Sequence, residues 1–459
     1  MSLDIQGSHL WRQSTTMWNI RNFTRHDANI FNPRTARFNS GDNIYRYEFP
    51  VMQWSIAMIQ RVTGEHMLLV RLIMFLFSCI GVIGFYKLML LLTKEKIVSW
   101  IAATLFQFSP VIFQYAINPL PDVLALSLSI WYMFWILKHN DGKKLKHLVY
   151  ASLFLTLATL VKLPFLLFAS VSIALFFKDI YQKKKLVKSH FVYVLVQSVA
   201  LIPAAAWYAW VIPYWTGNPV TKSVFSGHAD WTQIKGYLIY HAEVMFPKRL
   251  LHVPLWPFFI LGIFQLLRSK TRRPWLMAYI GVSFLYFILE IHAITHVHDY
   301  YMFPFIPWLF ILVGYGIQFV YHLSKKWSIY FLFAFTVFMG FYILNIIEDT
   351  WDNRNSQVDM DLYHHQEELQ HIIPRDTKVI MLNDMSHVML PYILDKRGNI
   401  FADDNLPIPF IHDMVKRQGL EYMYSNSEKL NNQKEFQPYI DSLLYQAGKM
   451  NVYKLKLPE

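Results

Sequence analysis

Long apolar runs dominate the first three quarters of the chain. Examples are 97–117, 190–212 and 327–347, each close to the roughly 20 residues that a helix needs to cross a bilayer. The alternation of apolar and polar residues in segments of about 10, which is typical of a membrane β-barrel, is not seen in the sequence. The pattern therefore predicts an α-helical polytopic membrane protein.

The apolar runs predict about ten spans. Two of these are short helices that share residues 147–177, a segment that has cytoplasmic lysines at both ends and therefore crosses an even number of times. Lys162, Leu163 and Pro164 interrupt it at its midpoint, so we expect the two helices to meet near Lys162. The other predicted spans are 67–92, 97–117, 121–138, 190–212, 254–268, 274–291, 300–321 and 327–347.

After residue 347 the pattern changes to short apolar segments between polar ones. Alternating strands and helices predict a small α/β domain, and we divide the chain into a first outer loop (1–65), a multi-span domain (66–347) and a soluble domain (348–459). The predicted strands are 376–383, 398–404, 419–425 and 450–457, and the predicted helices are 359–372, 407–418 and 436–447.

Composition agrees with a membrane protein and excludes a soluble one. The chain is 54% hydrophobic and only 16% charged, with a mean hydropathy of +0.25. Residues 1–347 hold 31 Lys and Arg against 13 Asp and Glu, whereas 348–459 hold 12 against 18. The excess positive charge lies in short loops between spans, so nucleic acid is not an expected partner. The single cysteine, Cys79, permits neither an intrachain disulfide nor a Cys-based metal site.

The lysines predict the topology. Basic clusters at 87–96, 138–146, 178–188, 268–273 and 325–326 alternate with loops such as 117–121 and 292–299 that contain no Lys or Arg. By the positive-inside rule the clusters are cytoplasmic. We therefore expect a multi-pass protein of the cell's inner (cytoplasmic) membrane, surrounded by membrane lipids. The segments 1–65, 213–252 and 348–459 are expected on its outer, extracytoplasmic face.

The start of the chain conflicts with this topology. Residues 1–65 are predicted outside, yet no apolar span or signal peptide precedes them in the sequence. We therefore expect that a first span is missing, through truncation or a misassigned start.

The first outer loop has an unusual choice of basic residue. It contains seven arginines and no lysine, and arginine is preferred where a planar, permanently charged group binds phosphate or carboxylate. Interleaved aromatic residues indicate that the loop lies at the membrane interface. A basic interfacial loop that contacts anionic headgroups is the alternative interpretation.

Ordered motifs in this loop and beyond it resemble a known family. G-x-H-x-W-R-Q-x-x-T, R-N-F, N-I-F-N-P and E-F-P-V-M-Q-W are followed by N-P-L-P-D-V-L-A-L (118–126), T-L-V-K-L-P (159–164) and H-D-Y-Y-M-F-P-F-I-P (298–307). In this order they resemble bacterial members of glycosyltransferase family 39, the protein O-mannosyltransferases and lipid A aminoarabinose transferases of the GT-C superfamily. The resemblance covers roughly residues 4–350.

The resemblance implies an inverting transfer of a sugar from a polyprenyl-phosphate donor to an acceptor at the outer face. The acceptor is lipid A, another cell-envelope glycan or a protein hydroxyl. Such chemistry needs a base for the acceptor's proton and cationic or hydroxyl groups for the departing phosphate. It also needs a groove for the lipid tail.

The family's usual Asp-Glu pair falls on Arg12-Gln13 in this chain, and neither side chain is a base at neutral pH. The remaining catalytic candidates are Asp4, His9, Glu48 and Asp122. Asp122 is the strongest, although an Asp after Pro121 is also ordinary helix N-terminal chemistry. Phe49 stands where the family usually has a lysine after Glu48.

Donor phosphate and substrate binding are predicted for charged and aromatic residues at the outer ends of the spans. For Lys162 the alternative is a lysine that extends to the interface, and for residues 298–301 it is an aromatic belt. His292, His296, His298 and Asp299 have side chains that could ligate zinc or manganese, which is the alternative interpretation of this segment. Their spacing matches no recognised motif, so neither a metal nor another cofactor is the leading prediction. The predicted binding residues are Arg12, Gln13, Arg46, Lys162, His298, Asp299, Tyr300 and Tyr301.

Two other function classes are open. A transporter or flippase of lipid-linked glycans would usually show inverted repeats and charges at span centres, and neither is evident in the sequence. A non-catalytic membrane scaffold is compatible with the missing Asp-Glu pair. We expect the C-terminal domain to bind acceptor or to cover the active site.

Overall fold

The computed structural model describes residues 4–5, 9–36, 43–215, 230–269, 273–295, 297–350, 360–375 and 377–458. Arg37, His296 and residues 216–229 of the predicted outer segment lie outside the described residues. The chain forms two compact units. The terminal unit comprises Met1–Arg46, Gln53–Met67 and Trp351–Glu459, and the helical unit comprises Tyr47–Met52 and Leu68–Thr350.

Helices follow one another through the first 350 residues. In chain order the α-helices are α1 (Leu10–Arg25), α2 (Val51–Thr63), α3 (Met67–Thr93), α4 (Lys96–Gln107), α5 (Pro110–Tyr115), α6 (Pro121–Gly142), α7 (Leu145–Val161), α8 (Ala169–Lys183), α9 (Lys188–Val211), α10 (Trp231–Tyr240), α11 (Trp256–Arg268), α12 (Arg273–Leu289), α13 (Ile291–Ile294), α14 (Ile306–Leu323) and α15 (Lys325–Thr350). A π-helix, His241–Leu250, continues α10, and 3-10 helices at Leu163–Phe168 and Asp299–Phe305 precede α8 and α14.

Each predicted span coincides with one or more of these apolar helices, so the α-helical membrane class is confirmed. Among the described residues, five helices are long and apolar enough to cross a membrane. A sixth is counted if Trp231–Leu250 and Val253–Arg268, bent by 84° at their junction, form one broken span. The other predicted spans are shorter or interrupted helices, including Leu145–Val161 and Arg273–Leu289.

The predicted break near Lys162 is confirmed. Helix α7 ends at Val161, Lys162 has extended backbone angles, and the 3-10 turn begins at Leu163. Pro164 has no N–H to donate and disfavours helical angles in the residue before it, so the helix cannot continue through this point. The break leaves the Lys162 side chain at the junction of two short helices.

Two glycines allow close packing of α11 on α14. A Cβ atom at Gly262 would overlap the carbonyl oxygen of Leu312, and one at Gly316 would overlap that of Phe258. Small residues at helix interfaces let backbones approach in this way within membranes. Large apolar side chains point outward elsewhere, among them Phe191 on α9 and Phe341 on α15, as expected of surfaces that lipid covers.

The terminal unit contains a five-stranded mixed sheet in the order β2-β1-β3-β5-β4. Strand β1 pairs in parallel with β2 and β3, and β5 pairs antiparallel with β3 and β4. The strands are β1 (Lys378–Met381), β2 (Arg397–Ile400), β3 (Tyr422–Ser425), β4 (Ile440–Ala447) and β5 (Met450–Leu455). The helices are α16 (Met360–His364), α17 (Gln366–His371), α18 (Met389–Leu394), α19 (Ile408–Gln418) and α20 (Glu428–Asn431). The predicted small C-terminal sheet domain is confirmed.

One predicted helix, 436–447, is wrong. Only Gln437–Tyr439 is helical, as a 3-10 turn, and Ile440–Ala447 is strand β4. Gly448 adopts a positive φ of 53°, which lets the chain turn at once so that Ala447 pairs with Met450. The turn residue and the partner strand β5 override the helical tendency of Leu443 and Leu444.

Candidate active site

Asp122 and Lys162, predicted separately, lie together in the helical unit. Asp122 is in the first turn of α6, and its side chain is only 1% exposed. Lys162 Nζ donates to Asp122 Oδ2 at 3.4 Å, and the lysine side chain is 11% exposed. Lys162, at the break after α7, thus provides the positive charge that pairs with the buried carboxylate of Asp122 on α6. A buried carboxylate is costly unless it is paired in this way.

Two tyrosines complete the surroundings of this ammonium group. Lys162 Nζ lies 5.5 Å from the ring centre of Tyr300 and 5.1 Å from that of Tyr301, within the range of cation–π attraction. The two rings are 4.8 Å apart, and the His298 ring stacks on Tyr301 at 5.2 Å. Sequence-predicted residues from three separate segments therefore meet around one lysine.

Asp299, fully buried beside these rings, holds a second set of polar groups. Tyr115 donates its hydroxyl to Asp299 Oδ1 at 2.7 Å, and an Arg249 nitrogen lies 3.6 Å from Asp299 Oδ2. Arg249 comes from the π-helix after α10 and also faces the ring of Tyr240. The carboxylate is therefore placed to position a guanidinium and a phenol.

Sequence reasoning missed Arg249 and Tyr115. Tyr115 gave no signal, since one tyrosine at the end of an apolar run is ordinary. Arg249 did give one, because it is the one arginine between Arg71 and Arg268 in the sequence and it falls in a predicted outer segment. The preference for arginine that directed attention to the first loop applies equally here.

Glu48 lies in the short segment that the helical unit takes from before α2. Its neighbours are fixed: Trp207 donates to the Tyr47 carbonyl at 3.1 Å, and the Phe49 amide donates to the Leu160 carbonyl at 3.0 Å. Tyr208 donates its hydroxyl to the same Leu160 carbonyl at 3.1 Å. Leu160 precedes Lys162 by two residues, so these contacts tie the Glu48 turn to the break that carries the lysine. The Phe49 ring packs edge-on against Trp207.

The other predicted residues belong to the terminal unit. Asp4 accepts hydrogen bonds from Tyr392 Oη at 2.5 Å and from Gln366 Nε2 at 3.0 Å. Arg46 donates to the Phe31 carbonyl at 2.7 Å and to Asn32 Oδ1 at 3.0 Å, which closes its own loop. The contacts of both side chains thus join parts of this unit to one another.

His9, Arg12 and Gln13 form the start of α1. His9 has a positive φ of 57° and its carbonyl accepts the amides of Arg12 and Gln13 at 2.9 and 3.0 Å. All three side chains are buried, with Gln13 fully so. The W-R-Q motif is therefore a buried helix start, and its catalytic or binding role stays a prediction.

Two arginines of α1 bind the C-terminal domain within the terminal unit. Arg21 and Arg25 lie 3.2 and 2.7 Å from Asp395 Oδ1, and Arg375 lies 2.8 Å from Oδ2. The Arg21 guanidinium also lies over the Tyr392 ring at 4.1 Å. Burial by itself would raise the pKa of Asp395, but the positive charges of Arg21, Arg25 and Arg375 outweigh it, so the pKa falls below its ordinary 3.8. Part of the arginine excess of the first loop therefore has a structural use.

Among the described residues, no group of three or more His, Cys, Asp or Glu side chains could hold a metal ion. His296, one of the three histidines of the sequence 292–299, is outside those residues. His298 instead contacts the two tyrosine rings.

Comparisons with known proteins agree with the sequence resemblance. Residues 48–210 match the family model of dolichyl-phosphate-mannose-protein mannosyltransferases. The fold resembles crystal structures of ArnT from Cupriavidus metallidurans, one bound to undecaprenyl phosphate (TM-score 0.64, 11% identity) and one in the apo state (TM-score 0.62, 12% identity). Each comparison covers 98% of this chain and 94% of that structure. No curated protein sequence matches the chain significantly.

At such identities the structures establish a common fold, while the family model covers the segment that carries Glu48, Asp122 and Lys162. The two findings confirm the resemblance read from the motifs. Residues 48–210 of this helical membrane protein are therefore similar to the mannosyltransferase family model, and the chain as a whole has the fold of the ArnT structures.

Proposed function

We propose that this protein transfers a sugar from a polyprenyl-phosphate donor to an acceptor hydroxyl at the outer face of the cytoplasmic membrane, with inversion at the anomeric carbon. The observation that carries the proposal is the Asp122–Lys162 pair beneath Tyr300 and Tyr301. The family match over 48–210 and the fold shared with an ArnT that binds undecaprenyl phosphate support the donor class.

Lys162 and Arg249 are the cations proposed to bind the donor phosphate. Lys162 is paired with the buried Asp122, and Arg249 is paired with the buried Asp299. Lys162 also lies over the ring of Tyr300, the residue that follows Asp299, so the two cations belong to one region. Preorganised cations in a poorly hydrated site stabilise charge that develops on a leaving group. A phosphate oxygen that approaches Lys162 would share its ammonium group with Asp122.

The reaction is a single displacement. The acceptor oxygen attacks the anomeric carbon, its bond to the phosphate oxygen breaks, and that electron pair leaves on the polyprenyl phosphate. The acceptor's proton passes to a carboxylate, for which Asp122 and Glu48 are the candidates within the helical unit. We give Asp4 a structural role, since its hydrogen bonds to Tyr392 and Gln366 join parts of the terminal unit.

The acceptor is a glycan, lipid or protein hydroxyl, and the C-terminal domain of the terminal unit is proposed to bind or cover it. No described feature favours transport or a purely structural role over transfer. Lys162 and Asp122 neutralise each other at the end of α6, whereas a transporter would be expected to keep charges near span centres.

Reconstituted full-length protein with radiolabelled polyprenyl-phosphate sugars tests the proposal. Release or transfer of labelled sugar is expected from the wild type and from Asp141→Asn, which alters an exposed Asp at the opposite end of α6. Loss in Asp122→Asn and Glu48→Gln would identify the carboxylates that the reaction needs. Movement of intact donor across the bilayer without cleavage of the sugar–phosphate bond would instead show a flippase.

A further inference from the structure

A cavity with a charged and an apolar part lies at the far end of α6, where the sequence predicts the cytoplasmic face. It has a volume of about 560 Å³ and is lined by residues of α6, α7, α8 and α9 and of the loops that join them. Asp122 is in the first turn of α6 and the cavity includes His139 near its last turn, roughly 25 Å away along the helix. The cavity is therefore separate from the proposed active site.

Part of the lining of this cavity is a network of charged side chains around Asp179. Asp179 accepts from Lys183 at 2.8 Å, from His190 at 2.7 Å and from Lys143 at 3.3 Å. His190 Nδ1 accepts the Val187 amide at 3.1 Å, so its Nε2 carries the proton that Asp179 receives. One carboxylate thus fixes groups from the α6–α7 loop, α8 and α9.

The lining carries more positive charge than this carboxylate neutralises. Lys143, Lys183 and Lys188 line the cavity, and Asp179 is the one acidic residue among its lining side chains. The side chains of Lys143 and Lys183 remain 52% and 41% exposed in their ion pairs. Ser189 adds a hydroxyl at the N-terminus of α9, an end of a helix that favours anions.

The walls of the cavity are apolar. Leu148, Leu175 and Phe176 line it, and Val192 lies on α9 beside the exposed Phe191 and close to the exposed Leu195. A phosphate group bound by the lysines would thus lie close to apolar side chains of the cavity. The exposed apolar side chains of α9 extend this apolar surface. This combination suits an anionic lipid, whose headgroup meets lysines and whose chains follow a lipid-facing helix.

We propose that this cavity binds a phosphate-bearing ligand, the headgroup of an anionic phospholipid of the cytoplasmic leaflet. Lys143, Lys183 and Lys188 contact the phosphate oxygens and Ser189 donates to them. Basic pockets between spans on the cytoplasmic side are suited to such headgroups.

The test uses the full chain in phosphatidylcholine nanodiscs with and without phosphatidylglycerol, with retained lipid counted by native mass spectrometry. Binding of phosphatidylglycerol is expected to weaken about fivefold for each of Lys143→Gln and Lys188→Gln and about thirtyfold for the pair. The matched controls are Lys146→Gln, at the start of α7, and Lys184→Gln, just after α8. Both are exposed lysines near the cavity that do not line it, and both changes should leave binding unaltered.

Inorganic phosphate and glycerol 3-phosphate form the second arm. Saturable binding of these compounds that requires Lys143 and Lys188, with no preference for the lipid, would support the phosphate site and assign it to a soluble ligand. Equal losses in the control variants would show a diffuse surface charge and overturn the proposal. Absence of binding in both arms would overturn it as well.

Discussion

Lys162 Nζ lies 3.4 Å from Asp122 Oδ2 and also lies over the rings of Tyr300 and Tyr301. The two residues are 40 positions apart in sequence, and each reaches the contact through a proline. Pro121 opens the helix that carries Asp122, and Pro164 breaks the helix that would otherwise carry Lys162 past the site. The contact between the two side chains therefore depends on where these two prolines start and end a helix.

Asp122→Asn should lower sugar transfer by about 10²–10⁴-fold if the carboxylate accepts the acceptor's proton. Initial rates with a radiolabelled polyprenyl-phosphate sugar measure the effect, and Asp141→Asn is the control on the same helix. The double variant Asp122→Asn/Lys162→Gln should lose less than the product of the single losses, because the two groups act as one unit. Strictly multiplicative losses would contradict the pairing.

Arg249→Gln should raise the KM for the donor more than tenfold, since it removes a cation proposed to bind the phosphate. Arg249→Lys should recover part of the loss, because it restores the charge without the planar fork. Steady-state kinetics at varied donor concentration separate KM from kcat. An unchanged KM in Arg249→Gln, with melting temperature also unchanged, would exclude Arg249 from donor binding.

Asp395→Asn should lower the free energy of unfolding of the terminal unit by about 3 kcal/mol at neutral pH, since three arginines then lose their common partner. Thermal melting of the full chain measures the change. Asp413→Asn is the matched control, because its salt bridge with Arg417 is exposed on both sides and is expected to contribute below about 1 kcal/mol.

The same carboxylate gives a pH dependence. The pKa of Asp395 is lower in the folded protein than its ordinary 3.8, so the unfolded chain binds a proton more readily and acid favours unfolding. The stabilisation is complete above about pH 5 and is lost as the pH falls below 3.8 toward the folded pKa. Melting curves of wild type and Asp395→Asn should therefore converge on acidification. A constant difference down to the most acidic pH would argue against this ion cluster.

Gly316→Ala should destabilise the helical unit by about 2 kcal/mol, since the new methyl group meets the Phe258 carbonyl and must push α11 from α14. Gly281→Ala on α12 is the control, because a Cβ atom there has open space around it. That change should be neutral or slightly stabilising, as Ala is the better helix former. Equal melting shifts for both variants in detergent would contradict the close approach of α11 and α14.

Much of this architecture could be predicted from sequence because it depends on local signals. Apolar runs placed the membrane helices, Lys162-Leu163-Pro164 placed the break, and the family motifs pointed to Asp122, Lys162 and the two tyrosines. What could not be predicted depends on tertiary partners. Tyr115 became notable only through Asp299, and the helix expected at 436–447 is a strand because β5 lies beside it.

The arginines of the first loop also show that tertiary partners cannot be predicted from composition. Its arginine content was interpreted as a means of binding phosphate, yet Arg21 and Arg25 bind Asp395 some 370 residues later. Composition shows which functional groups a segment contains, but it does not show which partner each group binds. An arginine that binds a carboxylate of its own chain and one that binds a substrate phosphate satisfy the same chemistry.

The terminal unit is assembled from the first and last segments of the chain. Ribosomes therefore release α1 long before α18 and Asp395 exist, and the arginines of α1 stay without these partners while every membrane helix is made. The ion cluster around Asp395 can therefore form only after the helical unit has been synthesised. Chains that stop early, after α15, would lack Asp395 and leave Arg21 and Arg25 without this carboxylate.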